Sequence, residues 1–423
     1  MTTQSISSIK LDRRQFRAIS CRLAERFGAD LFPGVWGAGS DIVGLRPYSE
    51  LLVTEKTSRS DIASFAFSDA NPTFGFLSYE YGLKLKNIPV RKLSQFPLGH
   101  LKKYSALLKY DRSSEFLEVH GGPKHTVTEI EETIFESENQ TCTYPFPDDA
   151  SYKLEQSLDG GRYIDRVKRV LDFIRDGYTY QINLTIEFSL EKPNLHTPTL
   201  FGYLHETYPT PYYACFTTGP FDIISTSPER FLAVQDGAVL SQPIKGTLQF
   251  EQFDESMIRQ LTESPKESTE LSMIVDLIRN DISLNCEYNS VRVEGHKSTF
   301  LVDNLIQMYS NVHGTLRHDR TCIDLLLDAF PGGSVTGCPK KKSMEIIDEL
   351  EPHSRDVYCG SFFVIRDEKN MESSIAIRTG YYDNEEGVFR FFAGSGIVIE
   401  SDPEREYLET LAKTDKFRRV FGL

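Results

Sequence analysis

A lysine between a proline and a glycine is the first candidate for chemistry in this chain. Lys245 lies in the segment Gln-Pro-Ile-Lys-Gly-Thr, residues 242–247, directly after a run that is typical of a β-strand. A lysine side chain has a free pKa of about 10.4, so it becomes a nucleophile only where its surroundings favour the neutral amine. Taken alone, this pattern indicates an exposed lysine in a turn, so its role depends on the groups around it.

Two glutamates share one face of a predicted helix with apolar residues. Glu267 and Glu270 continue the stripe of Ile274 and Leu277, which predicts a helix that carries acids on the side it buries. The dipeptide Ser264-Pro265 predicts its start, because serine caps helices and proline suits the first helical position. Acids in a first turn also complement the helix dipole, and this structural explanation stays open.

A second predicted helix repeats this arrangement near residue 402. It begins at Asp402-Pro403 and places Glu406, Glu409 and Lys413 three and four residues apart. On its own, this spacing is typical of a solvated face with a Glu–Lys pair. Together the two helices supply four glutamates, which repel one another when close unless a cation neutralises them. Oxygen ligands of this kind suit Mg²⁺.

Two glycine runs and an arginine are candidate anion sites. The run at residues 330–340 leads into a predicted helix, but Cys338 stands where a nucleotide-binding loop needs its lysine, which excludes that function. It predicts either a carboxylate site or a tight turn. The run at residues 393–397 either presents backbone N–H groups to an anion or lets strands pack closely. Arg378, at the end of a predicted strand, suits a bidentate grip on a carboxylate or a structural ion pair.

The composition predicts a soluble protein that gathers positive charge only locally. The 423 residues are 39% hydrophobic and 26% charged, and they contain neither an apolar run of transmembrane length nor an apolar signal core in residues 1–10. Seven scattered cysteines without a C-x-x-C pair predict reduced thiols in the cytoplasm, not disulfides or a zinc site. The net charge of −14 argues against nucleic-acid binding, so an anionic substrate would need local cations, backbone N–H groups or a metal.

The order of the predicted elements favours an α+β fold with mainly antiparallel sheets. A polar stretch, residues 136–151, predicts a connection between an N-terminal subdomain, residues 1–140, and a catalytic domain, residues 152–423. A helix is predicted at residues 162–175 from its helical spacing of apolar residues. The predicted strands of the second domain are residues 179–190, 221–226, 231–240, 357–366, 373–378 and 388–399.

Together, these segments resemble the chorismate-binding enzymes, the family of anthranilate synthase large subunits, aminodeoxychorismate synthases, isochorismate synthases and salicylate synthases. The resemblance runs in family order from about Tyr163 to Lys416 and is loose in the first third. It implies an anthranilate-synthase-like fold, in which two large antiparallel sheets pack as a sandwich with helices outside. The matching segments are residues 180–184, 227–231, 243–247, 273–281, 331–337, 358–361, 375–379, 393–397 and 406–410.

The resemblance implies a metal site on the two acidic helices. Glu270 and Glu409 resemble Mg²⁺ ligands, and Glu267 and Glu406 resemble residues that support the metal through water. The metal would hold the ring carboxylate of chorismate, which is a dianion.

The resemblance also implies how the rest of the substrate is held. Arg378 and Tyr358 resemble the grip on the enolpyruvyl carboxylate, assisted by N–H groups near Gly394 and Gly396. Lys413 stands where the family has a partner for the ring carboxylate. In the segment that contains Lys245, Thr247 is a further candidate for substrate binding.

Three positions indicate which reaction is implied. Glu229 resembles the general acid that assists departure of the C4 hydroxyl. Family members that add water carry a lysine base where this chain has Gln181, and anthranilate synthases usually have alanine at the position of Lys245. In having a lysine there, the chain resembles the members that aminate chorismate at C4. In those enzymes the lysine attacks C2 and expels the C4 hydroxyl, which leaves C4 open to ammonia.

The implied product is 4-amino-4-deoxychorismate, on the way to p-aminobenzoate and folate. The ammonia is expected from a separate glutamine amidotransferase subunit, because this sequence contains no amidotransferase nucleophile motif. Two alternatives stay open. One is an anthranilate synthase large subunit that tolerates Lys245 and aminates C2 with loss of pyruvate. The other is a non-catalytic chorismate-binding scaffold, against which the retained set of site residues argues.

The chain departs from the family pattern at two positions. Gln307 stands where many relatives have a histidine near the substrate, which leaves the ring-polarising group open, and Cys338 replaces a common alanine. Many relatives also bind tryptophan in the N-terminal part. Trp36 and residues 49–51 leave open whether this chain does.

Overall fold

The computed structural model describes residues 5–34, 36, 40–122, 124–137, 152–250, 252–302 and 305–423. The helices in these ranges are α1 (Arg13–Phe27), α2 (Arg59–Ala66), α3 (Tyr79–Leu85), α4 (Lys124–Ser137), α5 (Gly160–Arg175), α6 (Thr197–Thr207), α7 (Glu255–Thr262), α8 (Pro265–Ser283), α9 (Cys322–Ala329), α10 (Lys340–Leu350), α11 (Pro403–Ala412) and α12 (Asp415–Val420). A short 3-10 helix covers Gly333–Val335.

The strands outnumber the helices. They are β1 (Ser5–Lys10), β2 (Asp30–Phe32), β3 (Ser40–Val53), β4 (Thr73–Leu77), β5 (Gly99–Asp111), β6 (Phe116–Gly121), β7 (Leu154–Gln156), β8 (Gln181–Glu191), β9 (Tyr212–Thr218), β10 (Phe221–Ser227), β11 (Arg230–Gln235), β12 (Ala238–Ser241), β13 (Ile244–Gln249), β14 (Arg292–Val302), β15 (Leu305–Thr315), β16 (Gly337–Cys338), β17 (Ser361–Asp367), β18 (Asn370–Ile375), β19 (Thr379–Asp383) and β20 (Val388–Ile397).

All strand pairs in the described residues are antiparallel, and β5 joins two runs of strands. From one edge of β5, pairing continues through β3, β2, β9, β10, β19, β20 and β8. From the other edge, it continues through β4, β17, β18, β11, β12 and β15, which also pairs with β13 and β14. Hydrogen bonding is continuous through β5, and the two runs are here called the two sheets of the fold.

Aromatic side chains fill the space between the two sheets. Phe216 of β9 lies 5.5 Å from Phe76 of β4 and 6.3 Å from Phe362 of β17, measured between ring centroids. Phe32 of β2 meets Phe74 of β4 at 5.1 Å. Burial of such rings is a large source of stability in a fold of this size. The predicted α+β sandwich of antiparallel sheets is therefore confirmed.

The first third of the chain contributes to both sheets. Through β2 it pairs with β9, and through β4 it pairs with β17. Of the predicted connection, residues 138–151 lie outside the described residues, and α4 continues to Ser137. The division into residues 1–140 and 152–423 stays a prediction.

The two acidic helices form as their sequence predicts. The Ser264 side chain caps α8 by accepting from the Glu267 N–H, and the Asp402 side chain caps α11 by accepting from the Arg405 N–H. In both helices proline occupies the first turn. The helix predicted at residues 162–175 is also present as α5.

Several strand boundaries differ from prediction. The strand predicted at residues 231–240 is a hairpin, because Asp236 and Gly237 have positive φ and turn the chain between β11 and β12. The strand predicted at residues 373–378 ends at Ile375, and the one predicted at residues 357–366 starts only at Ser361. Lys245, expected in a turn, lies within strand β13.

The six cysteines within the described ranges form no disulfide, and Cys142 lies outside those ranges. Among the described helices, none combines the length and the apolar composition that crossing a lipid bilayer requires.

Candidate active site

A cavity of about 460 Å³, here called the central cavity, brings the predicted site residues together. Its walls come from β8, β13, β15, β20, α8 and α11, from the 3-10 helix and from the loops before β11, β17 and β19. Thr247 lies in β13, and its side chain is outside the described residues. The predicted residues that line this cavity are Lys245, Glu229, Arg378, Tyr358, Gly394, Gly396, Lys413, Glu267, Glu270, Glu406 and Glu409.

Glu229 is a buried carboxylic acid with a proton to give near neutral pH. It lies between β10 and β11, where its backbone N–H donates to Ser227 Oγ at 3.2 Å and its carbonyl accepts from the Ile375 N–H at 3.1 Å. Burial raises the pKa of its side chain to about 7, and the charge of Lys245 and a hydrogen bond with Ser334 oppose that rise. These groups suit Glu229 to general acid chemistry.

A break in strand register presents Lys245 to the cavity. In the ladder between β13 and β15, Lys245 pairs with Met308, and the register shifts before residue 247. Gly246, with φ of 74°, occupies the shift, and a Cβ there would lie 3.1 Å from Glu267 Oε2. Bulges of this kind redirect side chains next to active sites. The Lys245 Nζ lies 3.6 Å from the place of a Cβ on Gly396, across the cavity wall.

Arg378 and Lys413 provide further positive charge. Arg378 lies between β18 and β19 with φ of 52°, a left-handed conformation that is costly outside glycine and is often found at functional sites. Its guanidinium donates to the Lys413 carbonyl, and its own carbonyl accepts from the Thr226 N–H at 3.0 Å. Lys413 Nζ donates to the Gly394 carbonyl at 2.9 Å and contacts Glu409 Oε1 at 2.8 Å. Burial lowers the pKa of both cations.

Four glutamates line the central cavity, two from α8 and two from α11. Glu270 and Glu406 are buried, and the Glu406 carboxylate accepts from Ser401 Oγ at 2.7 Å. Within the described ranges, no three His, Cys, Asp or Glu side chains are grouped so that they could hold a metal ion. Mg²⁺ commonly takes one or two protein carboxylates and completes its shell with water and substrate oxygens. The arrangement therefore fits that mode of binding and not an all-protein cage.

Tyr358 presents a neutral hydroxyl to the cavity. Its ring stacks on Phe392 at 5.3 Å between centroids, and burial raises the pKa of its phenol. The hydroxyl therefore stays protonated at neutral pH and can donate to a carboxylate.

A buried arginine ties three walls of the central cavity together. Arg355 donates to the carbonyls of Asn183 at 2.7 Å and Val335 at 2.8 Å, and its own carbonyl accepts from the Tyr358 N–H at 2.9 Å. Its charge is balanced by Glu351, whose two oxygens lie 2.6 and 2.9 Å from the guanidinium. Both side chains are 1% exposed. Asn183, Val335 and Tyr358 all line the cavity, so Arg355 fixes the positions of these three walls relative to one another.

We expect the Arg355→Met variant to lose about 3–5 kcal/mol of its free energy of unfolding, because it leaves the buried Glu351 charge without its paired cation, although the hydrogen bonds from Thr185 remain. Denaturant unfolding followed by circular dichroism measures this loss. Arg279→Met is the matched control, since Arg279 is 49% exposed and pairs with the exposed Asp276, which predicts a cost below about 1 kcal/mol. Equal losses in the two variants would contradict the role given to Arg355.

Two polar lining residues, Asn183 and Ser334, were not predicted from the sequence. Asn183 follows the polar alternation of Gln181 and Thr185 along β8, a period of two that could have placed it on the cavity side. Its Oδ1 is buried and has no hydrogen-bond partner in the part of the chain that the structure describes. Ser334, which forms a hydrogen bond with Glu229, lies in the first glycine run. In the sequence, its hydroxyl is the only feature that could have indicated a place in the site.

The two glycine runs have different roles. In the first run the lining residues are Ser334 and Val335 of the 3-10 turn. In the second, a Cβ on Gly394 would lie 2.4 Å from the Leu184 carbonyl oxygen, so glycine is required for close pairing of β20 with β8. Gln307 lines the central cavity, where its amide can donate and accept hydrogen bonds but cannot take up a proton.

The fold and this cavity define a class of protein. Residues 43–419 match the family model described as chorismate binding enzyme, and the chain belongs to that family. The match begins in the first third, where the sequence resemblance was only loose. The central cavity therefore lies within a chorismate-binding enzyme, inside the matched residues.

Individual relatives include more than one kind of enzyme. The chain is 31% identical over 364 residues to aminodeoxychorismate synthase component 1 of Bacillus subtilis (strain 168), covering 82% of this chain and 76% of that protein. It is also 31% identical over 361 residues to an anthranilate synthase component 1 of Haloarcula marismortui, covering 80% and 71%. The crystal structure of anthranilate synthase component I from Streptococcus pneumoniae TIGR4 matches with a TM-score of 0.77 and 25% identity, covering 90% of this chain and 92% of that one. The predicted anthranilate-synthase-like fold is confirmed.

Proposed function

We propose that this chain aminates chorismate at C4 and forms 4-amino-4-deoxychorismate, the precursor of p-aminobenzoate in folate biosynthesis. The observation that carries the proposal is that Lys245 and Glu229 line the same cavity. Lys245 as nucleophile and Glu229 as proton donor can therefore act on the same bound substrate. The similarity to aminodeoxychorismate synthase component 1 supports the same reaction.

In the first step, the neutral amine of Lys245 attacks C2 of chorismate. A C2–N bond forms, the two conjugated ring double bonds each shift by one position, and the C4–O bond breaks as Glu229 gives its proton to the departing hydroxyl, which leaves as water. Ammonia then attacks C4, the C2–N bond breaks, and Lys245 leaves as the amine. Glu229 takes the extra proton from the new C4 nitrogen and is restored. The sum is chorismate plus ammonia giving 4-amino-4-deoxychorismate plus water.

The two carboxylates of chorismate are bound at different walls. Arg378 and the Tyr358 hydroxyl hold the enolpyruvyl carboxylate near Gly394 and Gly396, and Lys413 faces the ring carboxylate. When bound, Mg²⁺ supplies positive charge to the ring carboxylate. Glu270 and Glu409 would hold the ion, with Glu267 and Glu406 supporting it through water.

Gln181 supports amination over addition of water. Its side chain is buried at the start of β8. Its Nε2 lies 2.8 Å from the position that a Cβ would occupy if Gly396 were replaced by a larger residue. An amide does not take up a proton at neutral pH, so it cannot activate water as a base. We propose that a glutamine amidotransferase subunit supplies the ammonia and that both act in the cytoplasm.

A coupled assay tests the proposal. The purified chain is incubated with chorismate, Mg²⁺ and ammonium, and an aminodeoxychorismate lyase is then added. We expect p-aminobenzoate only after the lyase is present. Chorismate that stays intact would contradict an enzymatic function and favour the scaffold alternative, against which the retained Glu229, Lys245 and Arg378 argue.

The second candidate is amination at C2 with loss of pyruvate, as in anthranilate synthases. It is favoured by the anthranilate synthase component 1 of Haloarcula marismortui, which is as similar to this chain as the Bacillus protein is. Fluorescent anthranilate formed without the lyase would support this candidate and exclude the first.

A further inference from the structure

A second cavity of about 670 Å³, here called the outer cavity, adjoins the central cavity. The two cavities share Arg378 and Gln307 in their common wall, together with Pro228, Ile244 and Ala412. A ligand in the outer cavity would therefore lie next to Arg378, which also lines the central cavity. The outer cavity has no role in the reaction described above.

The two cavities carry opposite charges. In the described residues, five glutamates line the central cavity alone, with the two lysines Lys245 and Lys413. The outer cavity alone is lined by Arg230, Lys416 and Arg419, against the single carboxylate of Asp415. A dianion approaching from solvent is therefore attracted by the outer cavity and repelled by the glutamates of the central one.

Lys416 connects the outer cavity to Arg378 through a short chain of hydrogen bonds. Its Nζ lies 3.0 Å from Thr226 Oγ1, and this hydroxyl donates to the Arg378 carbonyl at 2.9 Å. Arg230 and Arg419 also line the outer cavity, and they pair with Glu372 at 2.7 Å and with Asp415 at 3.3 Å. Lys416 lies two hydrogen bonds from the Arg378 backbone, and both cations line the outer cavity.

The remaining walls suit a ring. Phe300 and Tyr309 meet at 5.5 Å between centroids on the β14–β15 hairpin, and Tyr208 and Tyr212 line the other side. Lys416 Nζ lies 5.6 Å from the centroid of the Tyr208 ring. Aromatic walls with a few convergent cations bind planar ring carboxylates, in which the ring packs and the carboxylate pairs.

We propose that the outer cavity is an entry site that captures the anionic ring substrate before it passes Arg378 into the central cavity. Lys416 attracts the dianion, the aromatic walls accept its ring, and Arg378 contacts its carboxylate from either cavity. This inference rests on the proposed function only in taking chorismate as the substrate. Capture in the outer cavity does not need Mg²⁺, because its own side chains carry the positive charge.

Equilibrium dialysis of chorismate against the full chain in EDTA tests the entry site. At low ionic strength, we expect Lys416→Glu to weaken binding by about fivefold to tenfold, because it replaces an attraction by a repulsion. The difference shrinks at 1 M salt, where the Debye length falls to about 3 Å. Lys341→Glu is the matched control, since Lys341 is exposed on α10 and lines neither cavity.

Lys416→Gln tests the same charge with less disturbance, because the amide can keep the hydrogen bond to Thr226. We expect it to weaken metal-free binding about threefold, with an unchanged circular dichroism spectrum. If both Lys416 variants bind chorismate as well as Lys341→Glu does, the entry site is wrong. A wild-type chain that shows this charge dependence but forms no 4-amino-4-deoxychorismate would overturn the proposed reaction and leave the entry site standing.

Discussion

We expect the Lys245→Ala variant to lose C4 amination by about a thousandfold, which is about 4 kcal/mol of activation free energy. Without the amine, no bond to C2 can form, and the C4 hydroxyl must leave without a nucleophile to drive it. Chorismate still binds, because Arg378, Tyr358 and the glutamates of α8 and α11 are retained. The coupled p-aminobenzoate assay measures the loss, and equilibrium dialysis with Mg²⁺ measures binding.

Two further variants sharpen this result. Lys245→Arg keeps a positive charge beside Glu229 but removes the nucleophilic amine, so we expect it to be as inactive as Lys245→Ala. Lys341→Ala removes an exposed lysine outside the cavity and is expected to match the wild type. An unchanged yield of p-aminobenzoate from Lys245→Ala would refute the covalent role of this residue.

We expect the Glu229→Gln variant to lose about a hundredfold to ten-thousandfold in kcat, the range that general acid catalysis supplies. Glutamine retains the size and polarity of the side chain but has no proton to give to the C4 hydroxyl. Since the pKa of Glu229 is raised to about 7, the acid is protonated below that pH and charged above it. In the wild type, kcat/KM should therefore fall as the pH rises through about 7, and this limb should be absent from the variant.

The pH profile must be measured at a constant concentration of free ammonia, because ammonium itself titrates at higher pH. Glu349→Gln, an exposed position on α10, is the control for loss of one carboxylate and is expected to retain the wild-type profile. A Glu229→Gln variant within threefold of the wild type, with the same pH limb, would remove Glu229 from the reaction.

The helices of the site are the part that local sequence predicts best. Ser264 and Asp402 cap them, a proline follows each cap, and the glutamates repeat at helical spacing. These signals lie within a few residues, so no tertiary contact is needed to find them. The class of fold also follows from strand-rich segments without steady βαβ alternation.

The placement of the reactive groups depends on contacts that a local pattern does not contain. Lys245 was expected in a turn, but β13 pairs with β15 about sixty residues later, and the register shift at Gly246 decides where the amine points. Arg378 was expected to end a strand, yet it lies in a left-handed conformation set by neighbours such as Lys413. Arg355, which joins three cavity walls, lies outside every segment that the sequence pattern singles out.

One measurement tests most directly whether this cavity aminates chorismate at C4. The purified chain is given chorismate, Mg²⁺ and ¹⁵N-labelled ammonium without any lyase, and the product is examined by NMR while free pyruvate is assayed. We expect the label on C4 of the product, a retained enolpyruvyl group and no free pyruvate. Label on C2, with one pyruvate released for each chorismate consumed, would contradict it.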